Sequence, residues 1–235
     1  MPDNSISKLT DGLYIIAEMS ANHMQDIDRA KRIIEEAKRV GANAIKVQAY
    51  RPDTMTVDVD IDKYQFWGTI WEGKKPYDLY DEAHMPWEWI PDLYEFAKSV
   101  GIDFFSSVYD SSSVRYLDEL GVDTFKIASF ELVDIPLLRE VGERGKRVII
   151  STGMASFSEI EEAVDVLKRS GSDDIHLLKC TTAYPAKVDD ANVLTIPHMK
   201  RTFGFPVGIS DHTLGHAVVC ASVALGATIV EKHMT

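Results

Sequence analysis

Eight short runs rich in Val, Ile, Phe and Thr, each bounded by turn residues, recur along this chain and constrain its fold more than any other feature. In order they are LYIIAE from Leu13, AIKVQA from Ala44, DFFSSV from Asp103, TFKIAS from Thr124, RVIIST from Arg147, IHLLKC from Ile175, PVGIS from Pro206 and ATIVEK from Ala227. Most are nearly continuous in apolar character, as strands of a parallel sheet buried on both faces are. Helical periods fill the intervals. Ile27, Ala30, Ile33, Ile34 and Ala37 make one apolar stripe; Ile160, Ala163, Val164 and Leu167 make another, with Ser158-x-x-Glu161 reading as its capping box. Helical stretches stop at Gly41, Gly101, Gly121, Gly171 and Gly226, just before strands.

This alternation predicts an α/β fold, and eight strands in 235 residues favour a (β/α)8 TIM barrel as a single domain over residues 1–235. An open doubly wound sheet is the alternative. Residues 50–86 form a long insertion, too aromatic for a linker, which reads as a folded loop with short helices over the top of the barrel. Trp67, Trp71, Tyr77, Tyr80, Trp87 and Trp89 there either stack on a sugar ring or pack the loop down. The chain stops at Thr235, directly after the eighth strand, so the spacing predicts a barrel one helix short.

With 25 Lys plus Arg against 37 Asp plus Glu, the formal charge is −12, which excludes a nucleic-acid or membrane-surface partner but leaves room for a local lysine cluster holding a small anion. The start, MPDNSISKLTDG, is unlike a secretory signal, and no apolar run approaches about 18 residues, so a cytoplasmic protein is expected. Cys180 and Cys220 form no CxxC and read as reduced thiols in buried segments.

In a parallel barrel the chemistry belongs at the C-terminal ends of the strands, and here every strand ends in polar groups. They are Glu18; Lys46 and Gln48; Ser106 and Ser107; Lys126, Ser129 and Glu131; Ser151 and Thr152; Lys179, Thr181 and Thr182; Ser210 and His212; and Glu231, Lys232 and His233. Lys46 and Lys126 lie deep in apolar strands and require neutralisation. With Ser107, Ser129, Ser151 and Ser210 they make a cradle for a phosphate; the competing reading pairs each lysine with a carboxylate such as Glu18 or Glu131. His212 and His233 close adjacent strands, so two imidazoles can share a divalent cation of the Mn, Fe or Zn type, or serve as hydrogen-bonded structural or acid groups. His84, His176, His198 and His216 have no such pairing, and Cys180 reads as a small buried filler rather than a nucleophile. GxGxxG, P-loop, GxSxG and HExxH patterns are all missing, which removes dinucleotide, triphosphate, serine-hydrolase and thermolysin-type chemistry.

The segments IIAEMSANH, AIKVQAY, DFFSSVYD, FKIASFE, ISTGM, LLKCTTAYPA, GISDHTLG and IVEKHMT, in this order, resemble the strand-end motifs of the sialic acid synthase family over essentially the whole chain. WEGKKPYDLYDEAHMPWEW resembles the pseudaminic acid synthase branch more than the N-acetylneuraminate branch. The resemblance implies condensation of phosphoenolpyruvate with an open-chain amino sugar, in this branch 2,4-diacetamido-2,4,6-trideoxy-altrose, to a nine-carbon 2-keto acid with release of phosphate by C–O cleavage. N-acetylneuraminate or legionaminate synthesis, and a non-catalytic remnant that only binds these ligands, are the alternatives.

By motif, the resemblance assigns Lys46, Ser107, Lys126, Ser129, Ser151, Thr182 and Ser210 to phosphoenolpyruvate, and Glu18, Asn22, Gln48 and Tyr184 to the sugar. It gives Glu18, Glu131 and Lys126 catalytic roles, and assigns His212 and His233 to a divalent metal, manganese first, with magnesium or cobalt as alternatives. This chain has NHMQ where many members have NHNG. The resemblance further implies an eighth helix and a C-terminal antifreeze-like domain beyond this sequence, with homodimers formed when that domain is present.

Overall fold

The computed structural model describes residues 12–61, 65–66 and 71–234. Its eight strands are β1 (Tyr14–Glu18), β2 (Ala44–Ala49), β3 (Asp103–Val108), β4 (Thr124–Ile127), β5 (Arg147–Ser151), β6 (Ile175–Cys180), β7 (Val207–Asp211) and β8 (Ile229–His233). They close in sequence order into a parallel barrel. The closing pair runs from Tyr14 opposite Ile229 to Glu18 opposite His233, which removes the open-sheet alternative.

The helices are α1 (Ile27–Arg39), α2 (Pro52–Met55), α3 (Pro76–Ala83), α4 (Ile90–Val100), α5 (Ser111–Leu120), α6 (Ile135–Gly142), α7 (Phe157–Ser170), α8 (Thr195–Phe203) and α9 (Ala217–Ala224). The α1 stripe is buried as its period dictates, apart from half-buried Ile27. Asp26 caps it by accepting the N–H groups of Asp28 and Arg29. For α7 the capping box is Ser156-x-x-Glu159, two residues before the expected one. The sequence satisfies S-x-x-E in both frames, and the stacking of Phe157 on Phe203, at 4.7 Å, goes with the earlier one. Cys180 is buried, but Cys220 is exposed, contrary to expectation. The reason is that α9, AVVCASVA, is apolar on every side while burying only Val218 and Ser222.

The described part of the insertion carries α2 and α3. Tyr80 packs edge-on against Tyr50, Trp87 stacks on Tyr116 at 4.8 Å, and Trp89 packs against His23. Those rings therefore hold the loop to the barrel, whereas Trp67 lies outside the described residues. Among the described residues no helix is long and apolar enough to cross a membrane.

Strand alternation creates two cores. Outward residues such as Ile45, Val47, Phe125, Ile127, Ile150 and Leu177 pack under the helices. Inward residues Tyr14, Ile16, Ala44, Phe105, Ile149, Leu178 and Ile229 form a separate apolar floor inside the barrel. Each fully buried side chain of this size contributes roughly 1.5–3 kcal/mol. Gly208 is required in this floor because a Cβ there would lie 2.3 Å from the Ile229 carbonyl oxygen and 2.8 Å from Leu178 Cδ2. Gly208→Ala is expected to destabilise the protein by about 3 kcal/mol or more, through overpacking against backbone. Urea unfolding checks this, and an unchanged midpoint contradicts it.

Candidate active site

Directly above the apolar floor, two residues further along each strand, the inward positions turn polar. Glu18 stands beside Lys46, Ser107 beside Lys126, and Ser210 beside Glu231 in the strand registers. With Ser151 and Cys180 these side chains line one cavity at the C-terminal end of the barrel. Lys46 Nζ lies 2.5 Å from Glu18 Oε2 and 3.8 Å from Glu231 Oε2, and donates to Ser107 Oγ at 3.0 Å. Lys126 donates to Ser151 Oγ at 2.7 Å and to the Ile127 carbonyl at 2.8 Å, while Ser210 donates to Glu231 Oε1 at 2.8 Å. Both competing readings of the lysines thus find a place. Lys46 is neutralised by carboxylates, whereas among the described residues no carboxylate forms an ion pair with Lys126.

The electrostatics follow from burial. It works against the charge on Lys46, but Glu18 and Glu231 overcome it and hold its pKa above the ordinary lysine value. For Lys126 burial wins and, with repulsion from Lys46, pushes the pKa down against the pull of Glu231. Burial raises Glu18 despite Lys46. Burial would raise Glu231 too, yet Lys126, Lys46 and the Ser210 hydroxyl hold it down to about 2.

A second tier forms the rim: Gln48, Tyr109, Ser129, Phe130, Thr182, Tyr184, His212 and His233. Ser129 accepts the Gly153 N–H at 3.1 Å. The Tyr184 ring lies 4.1 Å from that of His212 and 5.8 Å from that of His233. Among the expected site residues, Glu18, Lys46, Gln48, Ser107, Lys126, Ser129, Ser151, Thr182, Tyr184, Ser210, His212 and His233 are brought together here. Glu131 and Asn22 are not in the lining. Glu131 begins a 3-10 turn after β4; its Oε2 is buried with no hydrogen-bond partner, and burial raises its pKa. Asn22 clasps the barrel seam, donating to the Met234 carbonyl at 2.9 Å while its own carbonyl accepts Arg29 Nε.

Other strand-end groups face elsewhere. Ser106 bonds the Val47 and Ser107 carbonyls, Lys232 pairs with Asp211 at 2.6 Å, and Thr152 donates to the Leu178 carbonyl. The sequence reading did not single out Tyr109 and Phe130, and assigned no role to Glu231 or to Cys180 as a lining group. Alternation was the available signal: Tyr109 follows Ser107 by two residues and Glu231 precedes His233 by two.

The two imidazoles are suited to a metal as far as their donor chemistry goes. His212 Nδ1 donates to the Thr181 carbonyl at 2.9 Å, leaving Nε2 with its lone pair, and the rings of His212 and His233 are 5.3 Å apart. Burial lowers both pKa values to about 4, with the His233 ring adding to the shift of His212 and Lys46 to that of His233. Both rings are therefore neutral near pH 7, although His233 stands at the solvent-exposed rim. Among the described residues no set of three or more His, Cys, Asp or Glu side chains converges.

Comparison with known proteins gives a consistent answer. The pattern of the NeuB family matches residues 33–235. A pseudaminic acid synthase of Helicobacter pylori is 39% identical over 219 residues, covering 93% of this chain and 64% of the relative. An N,N'-diacetyllegionaminic acid synthase of Legionella pneumophila is 37% identical, covering 94% and 64%. The chain thus spans 64% of the length of both curated relatives. The crystal structure of an N-acetylneuraminic acid synthetase from Leptospira borgpetersenii superposes with a TM-score of 0.86 at 36% identity, covering 96% of this chain and 74% of that one.

Removing one charge of the buried quartet exposes its balance. Glu231→Gln is expected to destabilise the protein by about 3–5 kcal/mol at pH 7, because Lys126 and Lys46 lose their compensating charge. Glu231 ordinarily titrates near 4.5 and in the folded protein near 2, so its contribution is complete above pH 4.5 and is lost as pH falls towards 2. The deficit of the variant should therefore shrink across that window. Denaturant titrations at stepped pH measure it, and a deficit that grows on acidification contradicts the assignment.

Proposed function

Because this chain belongs to the NeuB family, we propose that its barrel condenses phosphoenolpyruvate with an open-chain diacetamido sugar, forming a nine-carbon 2-keto acid and releasing phosphate. The observation that carries the reading is the inward tier in which Lys126 bonds Ser151 but, among the described residues, forms no ion pair with a carboxylate, beneath two neutral imidazoles. A buried cation in that position calls for an anionic ligand. The pseudaminic acid branch is preferred as the acceptor class, since relatives bearing that name reach 38–39% identity against 37% for legionaminic and 32% for N-acetylneuraminate 9-phosphate synthases.

The mechanism divides between the tiers. Lys46, Lys126 and the hydroxyls of Ser107, Ser129, Ser151, Thr182 and Ser210 hold the carboxylate and phosphate of phosphoenolpyruvate out of water and fix its enol carbon towards the rim. Gln48 and Tyr184 stand at the rim, where the sugar would enter, and Glu18 lies below with a buried, unpartnered Oε1. Asn22 reaches the sugar only by giving up its bond to Met234. A divalent metal, manganese first among magnesium and cobalt, held by His212 and His233 would polarise the acceptor aldehyde as a Lewis acid. Attack by carbon 3 of phosphoenolpyruvate leaves positive charge at carbon 2, which water captures. Glu131, outside the cavity lining with its pKa raised by burial and one oxygen unpartnered, would accept that water's proton, the alkoxide formed from the aldehyde takes up a proton, and phosphate then leaves with its bridging oxygen. Phosphoenolpyruvate as co-substrate fits a cytoplasmic enzyme, and we extend the reading to a homodimer, which sedimentation tests.

Phosphate release measured with diacetamido-trideoxy-altrose, the legionaminate precursor and N-acetylmannosamine, with and without Mn²⁺, tests the function. Release with the first acceptor is expected. Release only with another moves the chain to that branch, and ligand binding without release marks a non-catalytic remnant. His212→Ala should abolish metal-dependent turnover, and unchanged rate with unchanged metal content contradicts the metal role. Lys126→Met should raise KM for phosphoenolpyruvate by roughly ten- to a hundredfold. An equal rise for the sugar counts against an anion-binding role.

A further inference from the structure

A second cleft, of about 550 Å³, opens outside the barrel between α7, α8 and the segment after β6. That volume lies within the range of small-molecule sites, about 300–1,000 Å³. At its back is Lys179. Leu178 and Cys180 face the barrel interior, so alternation sends Lys179 outward, where it is 8% exposed. Its ammonium donates to Thr181 Oγ1, whose own hydrogen goes to the Asp190 carbonyl. Among the described residues no carboxylate forms an ion pair with it, in contrast to Lys46 and Lys232. Burial accordingly pushes its pKa down, against the weaker pull of surrounding acidic groups including Asp211 and Asp190. A buried lysine with donors to spare, facing a cavity, is the arrangement an anion completes.

The rest of the cleft is mixed: Asp190, Asn192, Thr195 and His198 are polar, and Phe157, Ile160, Met199 and Phe203 are apolar. Phe157 and Phe203 stack at 4.7 Å, and about half of the Phe157 surface is exposed beside the cleft. Exposed aromatic surface beside a desolvated cation suits a ligand with one charged end and one flat apolar end.

We propose that this cleft is a second small-molecule site, taking a ligand whose carboxylate or phosphate is bound by Lys179 and Thr181 and whose planar apolar body lies on Phe157 and Phe203. Its ligand-contacting residues differ from those of the synthase reading, since neither Lys179 nor either phenylalanine lines the barrel mouth, although Cys180 and Thr182 border both.

Calorimetric titration with phenyl phosphate, benzoate and inorganic phosphate, in a phosphate-free buffer, tests it. Lys179→Met is expected to weaken phenyl phosphate by about tenfold or more. Phe157→Ala should weaken phenyl phosphate and benzoate by roughly threefold and leave inorganic phosphate unchanged. The stronger of phenyl phosphate and benzoate identifies the head group. On the unaltered protein, labelling of Lys179 by trinitrobenzenesulfonate, quantified by peptide mass spectrometry, should be slowed by phenyl phosphate, and this reading stands even if the lysine variant does not fold. Affinity in Lys179→Met within about twofold of the parent, or Lys179 labelling indifferent to phenyl phosphate, overturns the proposal.

Discussion

Four charged side chains inside a barrel are the constraint on which the rest depends. Glu18, Lys46, Lys126 and Glu231 are each at least 94% buried, and each isolated ion would cost on the order of several kcal/mol to bring there. They coexist because the parallel register sets them on one level, so that Lys46 touches Glu18 and approaches Glu231 while Ser210 holds the second oxygen of that carboxylate. A slip of one residue in any strand would turn its member outward and leave its partners uncompensated. The quartet therefore requires the closed barrel as much as the barrel tolerates the quartet.

The layer below makes that level rigid. Tyr14, Ile16, Ala44, Phe105, Ile149, Leu178 and Ile229 fill the interior, and Gly208 leaves room for Ile229 and Leu178 to meet. The layer above is built differently: its imidazoles are neutral, its hydroxyls numerous, and Tyr184 is 63% exposed. Depth thus sorts the chemistry. Buried ammonium and carboxylate groups sit low, and neutral imidazoles and hydroxyls sit at the rim.

Most of this was legible because β-strand alternation and strand-end position are sequence properties. Eight apolar runs gave the barrel, and Lys46, Lys126, Ser151, Ser210 and the two rim histidines were all visible as polar residues in runs that should have been apolar. What was not legible depends on distance. The sequence could not say that Lys46 would be satisfied by Glu18 while Lys126 would not, because that difference depends on the register that sets Glu18 opposite Lys46 between β1 and β2. Nor could it separate the two S-x-x-E frames before α7, which differ only in which residue follows the cap and where Phe203 lies. The Asn22 bond to Met234 was equally out of reach, because it spans 212 residues of chain. Lys179 looked like one more strand-end lysine; parity sends it to the opposite side of the sheet.

That parity gives the barrel mouth and the outer cleft a common wall. Cys180 and Thr182 line both, and between them the end of β5 runs so close that a Cβ on Gly153 would lie 2.8 Å from Thr182 Cγ2 and 2.9 Å from Ser129 Oγ. The Gly153 N–H, meanwhile, is the donor to Ser129, one of the hydroxyls assigned to phosphoenolpyruvate. A wall this tightly packed moves as a unit if it moves at all. Thr181, which accepts the Lys179 ammonium, is joined to Thr182 by one peptide bond and to the His212 ring through its carbonyl.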